Sequence, residues 1–190
     1  MKRKEKAAET EAALKEAAKR LFAERGYLNT KITDITAAAG RAAGSFYNHF
    51  GSKEELLEAL MADMSASSDE SARQAGHKAD FSAPDAVRWH VVSYLRFYRE
   101  NAATLLAMQQ AALVNEEFAE RFARFGRDER SDLLSHLTGL DLPAAPEVSV
   151  AMMYSLVDSF LRLAPPGLSE EDMTEALTRF AYRGLTGKDY

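Results

Sequence analysis

The chain has no cysteine, a single tryptophan and only five prolines among 190 residues. Without thiols there is no disulfide framework, no thiolate metal site and no cysteine nucleophile. Nothing points to an oxidising compartment, and the cytoplasm is the expected location. No run of about 18 uninterrupted apolar residues is present, which speaks against a membrane span. The basic start Met1-Lys2-Arg3-Lys4-Glu5-Lys6 is followed by alanine and glutamate, not by an apolar stretch with a cleavage site, so no secretory signal is expected there. Alternating β-branched stretches are missing, and with them the mark of a sheet. A G-x-S-x-G elbow, a P-loop and a dinucleotide fingerprint are absent as well. The carboxylates fit solvated helix faces, so no reaction and no cofactor is assigned, and the chain is not expected to be an enzyme.

What is present is a composition that folds, 46% hydrophobic and 28% charged. The net charge of -5 is unevenly divided: residues 1–53 carry eleven Lys/Arg against six Asp/Glu, a net +5, and residues 54–190 carry thirteen against twenty-three, a net -10. A basic module on an acidic body suits a polyanionic partner, although a solvated lysine-rich helix gives the same count.

Apolar residues recur at helical spacing nearly throughout, which predicts an all-α fold of eight or nine helices. The first runs from about Thr10 to Arg25 on the stripe Leu14, Ala17, Ala18, Leu21 and Phe22, and Gly26 ends it. A short second helix near Ile32 to Ala39 stops at Gly40, and a third spans about Ala42 to His49. Ser52-Lys53-Glu54-Glu55 matches a capping box and opens a fourth helix, whose polar tail runs from Ser65 to Ala75. Ser82 is expected to cap a helix reaching about Glu100, with Asn101 and Asn115 capping two more. The last two helices are expected near Glu147 to Leu163 and Glu170 to Leu185.

Residues 35–57 thus read as helix, turn, short helix, capped helix. Two short helices across a tight glycine turn can present the second to the major groove of DNA. Gly44 and Ser45 add little bulk at its front, so backbone can approach closely, and Tyr47, Asn48 and His49 give polar reach. Lys53 falls in the first turn of the next helix, where a cation joins free N–H groups in favour of a phosphate. Phe46 and Phe50 are expected to pack inward.

The pattern Tyr47-x-His49-Phe50-x-x-Lys53-Glu54-x-Leu56-Leu57 follows Ala39-Gly40 and Gly44, and Leu21-Phe22-Ala23-Glu24-Arg25-Gly26-Tyr27 precedes it. This stretch resembles the signature of the TetR family of transcriptional regulators, from about Ala13 to Leu60. The resemblance implies an N-terminal three-helix helix-turn-helix DNA-binding domain, residues 1–57, and a larger C-terminal helical ligand-binding and dimerisation domain, residues 58–190. It implies a homodimeric, ligand-responsive regulator, expected to be a repressor, on a palindromic double-stranded DNA operator. Residue by residue, it implies that Thr30 and Lys31 lie near phosphates and that Ala43 and Ser45, beside Gly44, face the groove. Tyr47, His49 and Lys53 would clamp the DNA backbone, with Asn48 touching either. Two positions depart from the pattern: Arg41 replaces a small aliphatic in the turn, and Ala42 replaces a Ser or Thr cap. Arg41 is expected to snorkel outward to a phosphate or groove edge.

In the larger domain, Met61, Met64, Tyr94, Tyr98, Met108, Gln109, Phe122, Tyr154 and Asp158 are candidates to line a pocket for a hydrophobic or amphipathic effector; plain core is the alternative for each. Asp158 interrupts an apolar run and reads either as an exposed edge or as a buried acid awaiting a ligand hydroxyl or cation. The helix from Val148 to Leu163 is apolar on most sides, and Met173, Leu177, Phe180, Ala181 and Gly184 align along the last one, so a four-helix interface between two copies is expected. His77, His90 and His136 are far apart in sequence, and no metal site is expected of them. The competing class is a helical enzyme or small-molecule carrier whose N-terminal module binds a protein partner.

Overall fold

A computed structural model describes residues 2–73 and 76–190. Met1 of the basic start, and Gln74 and Ala75 at the end of the polar tail, lie outside the described residues. The described residues contain seven α-helices and two 3-10 segments, and no strand. No helix among them is long and apolar enough to cross a membrane.

The helices are α1 (Lys2–Arg25), α2 (Ile32–Ala38), α3 (Lys53–Ala72), α4 (Pro84–Val114), α5 (Glu116–Ser131), α6 (Pro146–Leu163) and α7 (Glu170–Thr186). A 3-10 helix, Ala43–Asn48, lies between α2 and α3, and a second, Asp132–Leu137, follows α5. Chain contacts divide the fold into two compact units. One holds the residues up to Ser67 with Asn101–Phe125, and the other Ser68–Glu100 with Gly126–Tyr190. Each of α3 and α4 therefore contributes to both units, whereas a domain boundary at 57/58 falls within α3.

Three elements differ from the sequence reading. Thr10 does not start α1: its hydroxyl donates to the Lys6 carbonyl 2.9 Å away, the back-bond of a residue inside a helix, and α1 begins two turns earlier. Asn101 does not start a helix either. Between Pro84 and Val114 no glycine or proline follows the first position, and one asparagine among Ala102, Ala103, Leu105 and Leu106 costs under ~1 kcal/mol, so α4 runs on for 31 residues. The segment after Gly40 is a 3-10 helix. Ala42 offers no side-chain cap, and the turn tightens through Ser45 N–H to Ala42 O and His49 N–H to Phe46 O, each 2.9 Å.

In the first unit Leu14, Ala17, Ala18, Leu21, Phe22, Ile35, Phe46, Phe50, Leu56, Leu57 and Leu60 are buried. A buried Leu or Phe contributes ~1.5–3 kcal/mol over an exposed one, so this interior holds the short α2 and the 3-10 helix, which are too brief to persist alone. Gly26 and Gly40 sit at positive φ, 79° and 65°, where α1 and α2 end. In the second unit the core gathers Phe81, Val87, Val91, Leu95, Leu133, Leu137, Val150, Val157, Leu177, Ala181, Tyr182 and Leu185. The Tyr182 hydroxyl donates to the Ser82 carbonyl at 3.1 Å. At the start of α7, Ser169 Oγ accepts from the Asp172 N–H at 3.1 Å, and Gly187 closes the helix in the left-handed conformation.

Candidate functional site

The stretch singled out in the sequence folds as one surface of the first unit. Phe46 is fully buried, with its ring 5.5 Å from Phe50 and 5.6 Å from Tyr47. That anchor turns the other side of the 3-10 helix outward: Ala43, Gly44, Tyr47 and Asn48 are exposed, Tyr47 at 62%. A Cβ added at Gly44 would meet nothing within 4 Å, and its φ is not positive. The fold itself therefore does not demand glycine there. Ser45 is half-buried, and its hydroxyl donates to the Ala42 carbonyl at 2.6 Å.

Behind this edge, the start of α3 is secured twice. Ser52 Oγ accepts from the Glu55 N–H at 3.2 Å, and the Glu55 carboxylate accepts from the Gly51 N–H at 2.6 Å, so the expected capping box closes one residue upstream. The Lys53 ammonium donates to the carbonyls of Tyr27 at 3.0 Å and Thr30 at 2.8 Å, and sits 4.0 Å from the centre of the Tyr27 ring. Burial holds its pKa below the ordinary lysine value, against the pull of Glu54. Lys53 thus faces the loop after α1, where it caps carbonyls that lie beyond the helix end. Thr30 is buried as well, its hydroxyl donating to Gly26 O at 2.8 Å, so that hydroxyl is not presented to a ligand. Lys31 is exposed, and its N–H is held by the Asp34 carboxylate at 3.0 Å.

Arg41 does not snorkel freely outward. It lies half-buried, 3.4 Å from the Glu9 carboxylate, with its Nε buried and lacking an acceptor among the described residues. His49 is half-buried, with Nδ1 4.0 Å from Glu11.

One contributor was not singled out in the sequence. Gln110, on the part of α4 that belongs to this unit, accepts from the Tyr27 N–H at 2.9 Å. The sequence points instead to its neighbour Gln109, and no periodic signal separates the two. An open groove of about 580 Å³ in the same unit is lined by Glu11, Glu55, Glu58 and Glu117 around His49 and Arg121. Its acidic lining does not suit an apolar effector.

The nine pocket candidates divide between the two units. Met61, Met64, Met108, Gln109 and Phe122 belong to the first unit, the three methionines being buried there, while Tyr94, Tyr98, Tyr154 and Asp158 belong to the second. In the second unit three of them meet. Tyr94 OH donates to Asp158 at 3.4 Å, and the Tyr94 and Tyr154 rings pack edge to face at 5.4 Å. Burial pushes the Tyr154 phenol up to about 12; burial, then Asp158, raises Tyr94. Asp158 is half-buried and paired with Arg162.

Of the α7 stripe, Leu177 and Ala181 are buried in their own unit's core, because α7 packs with that face inward. Phe180 and Gly184 point out, Phe180 being 64% exposed, and Val148, Met152 and Leu163 are exposed on α6.

The three histidines are not scattered. His77, His90 and His136 converge in the second unit, with ring nitrogens all within 4.8 Å of one another. Separations of 13 and 46 residues hide this in the sequence. Burial, with the neighbouring histidines, holds His90 near pKa 4, against the pull of the Ala86 carbonyl. Burial and His77 hold His136 below its ordinary value.

Residues 14–60 match the model for bacterial regulatory proteins of the tetR family. The regulator TtgR of Pseudomonas putida is 43% identical over 70 residues, which is 37% of this chain and 33% of TtgR. The repressor AcnR of Corynebacterium efficiens is 26% identical over 171 residues, 85% of each chain. The N-terminal stretch is thus similar to that of TetR-family regulators. The TtgR match spans about a third of that relative's length. The TetR fold extends further: the crystal structure of a tetR-family regulatory protein from Rhodococcus RHA1 superposes with a TM-score of 0.72 at 21% identity, covering 93% of this chain and 97% of that one.

Proposed function

We propose that this chain is a TetR-family transcriptional regulator that binds duplex DNA through the 3-10 helix Ala43–Asn48 and is released from or directed to its operator by a small ligand. The observation that carries the reading is the outward edge Ala43, Gly44, Tyr47 and Asn48, held by the buried Phe46, within the stretch that matches the tetR-family model. Small residues at the centre let backbone approach base edges, while Tyr47 and Asn48 reach phosphates or bases on either side. Lys31, exposed before α2, supplies a cation for a phosphate. Lys53 acts from behind: by tying the Tyr27 and Thr30 carbonyls it sets the angle between α1 and α3 that aims the 3-10 helix.

A single module reads too few base pairs for operator selectivity, so the active form is a homodimer on a two-fold operator. Val148, Met152 and Leu163 on α6 with Phe180 and Gly184 on α7 give an apolar face suited to a second copy. The effector is hydrophobic or amphipathic, with a hydroxyl or cationic group directed to Asp158 beside Tyr94. Repression is the expected output.

The test is selection of bound sequences from random duplex DNA, followed by footprinting on the DNA upstream of the chain's own gene. A two-fold site with half-sites one helical turn or a multiple apart is expected. Recovery of no preferred sequence at low salt would remove the reading.

A further inference from the structure

We infer that His77, His90 and His136 form a binding site for one first-row divalent metal ion, with zinc the best fit. His77 stands in the loop before α4, His90 on the second turn of α4 and His136 in the 3-10 segment after α5. Their Nε2 atoms converge: His77 Nε2 is 3.3 Å from that of His90 and 3.1 Å from that of His136. Nitrogens held about 2.0–2.1 Å from a tetrahedral zinc stand about 3.3 Å apart, so two edges of the tetrahedron are already near length. The third lies within 4.8 Å, within reach of small imidazole rotations.

The hydrogen bonds behind the rings orient them as ligands. His90 Nδ1 is 2.9 Å from the Ala86 carbonyl, which can only accept, so the proton is on Nδ1 and Nε2 carries a lone pair. Ser135 donates its hydroxyl to the Asp132 carbonyl and therefore accepts from His136 Nδ1 at 3.2 Å, which leaves His136 Nε2 with a lone pair too. Both lone pairs point to one atom, His77 Nε2. A neutral imidazole has a single proton or a single lone pair there, and cannot give each neighbour its own hydrogen bond. An ion at the centre accepts all three lone pairs at once.

The surroundings agree. Phe81 packs against His90 and His136 at 4.7 and 5.4 Å, and Trp89 against His77 at 4.9 Å, walling the nitrogens with aromatic rings. No carboxylate joins the group among the described residues, which disfavours magnesium and calcium, while three imidazoles suit zinc, nickel, cobalt or copper. The fourth position is left for water or a small anion.

Trp89, the chain's one tryptophan, makes the test direct. Tag-free full-length chain is stripped with chelator and titrated with Co²⁺, then with Zn²⁺. The expected result is quenching of Trp89 emission that saturates at one Co²⁺ per chain, with visible absorption bands of low-coordinate cobalt that Zn²⁺ abolishes. His90→Gln and His136→Gln should weaken binding ~100-fold or more, with far-ultraviolet circular dichroism checking the fold. His77→Gln, in a loop, serves if a core variant fails to fold. Equal binding by folded His77→Gln, or no saturable quenching in the unaltered chain, overturns the site. Loss of DNA binding alone, with cobalt binding intact, leaves the metal site standing.

Discussion

The phenol of Tyr27 donates to the carboxylate of Glu54 across 2.5 Å, tying the loop after α1 to the first turn of α3. Burial opposes ionisation of Glu54, but the Tyr27 hydroxyl, its own backbone N–H, Ser52 and Lys53 outweigh it and leave its pKa below the ordinary 4.5. A depressed carboxylate stabilises the fold above its unfolded pKa, and that contribution is lost as pH falls through the folded value. Tyr27→Phe should therefore destabilise the chain by ~1–2 kcal/mol near pH 7. The gap from the unaltered protein should narrow below pH 4.5. Chemical denaturation across pH measures it; a gap that widens in acid would contradict this account.

Gly44 separates folding from recognition. With open space around its would-be Cβ and no positive φ, Gly44→Ala should leave the melting temperature unchanged or slightly raised. Operator affinity, read by fluorescence anisotropy, should fall ~10-fold or more, because the new methyl stands where backbone meets the groove. Unimpaired binding would place the DNA contact elsewhere.

Lys53→Met keeps the aliphatic stem and removes the donors to Tyr27 and Thr30. A loss of ~1–3 kcal/mol in stability is expected. The dependence of binding on salt concentration should stay as steep as before, since the ammonium is engaged with carbonyls. A shallower slope, by about 1 per half-site, would instead mark Lys53 as a direct phosphate contact.

Phe180→Glu places a charge on the outward face of α7, where it meets nothing in its own unit's core. Sedimentation velocity should then show a monomer of unchanged helicity, with operator affinity lost alongside. A dimer that persists would move the association surface off α7.

Much of the first unit is readable from sequence because its information is local. The stripe Leu14 to Phe22, the glycine stops at 26 and 40 and the Ser52-to-Glu55 cap all act within a few residues. Where a side chain's partner is remote, the reading fails. Lys53 looks like a phosphate cation until the Tyr27 and Thr30 carbonyls arrive beneath it, and Gln110 is indistinguishable from Gln109 until Tyr27 offers its N–H. The histidine group needs contacts spanning 13 and 59 residues. Leu177 and Phe180 share a helix and a hydrophobic character, and only packing decides that one is core and the other surface.

The meeting of Gly26 with Gln110 couples two positions distant in sequence. A methyl at position 26 would stand 3.3 Å from Gln110 Oε1, on a backbone at φ 79°. The left-handed geometry admits asparagine more readily than other side chains, and any such arrival would crowd the very amide that holds Tyr27. Substitution at 26 thus calls for a shorter residue at 110, and shortening 110 first strands the Tyr27 amide. Stability changes at 26 and 110 should therefore fail to add, because both act on the one amide that holds Tyr27.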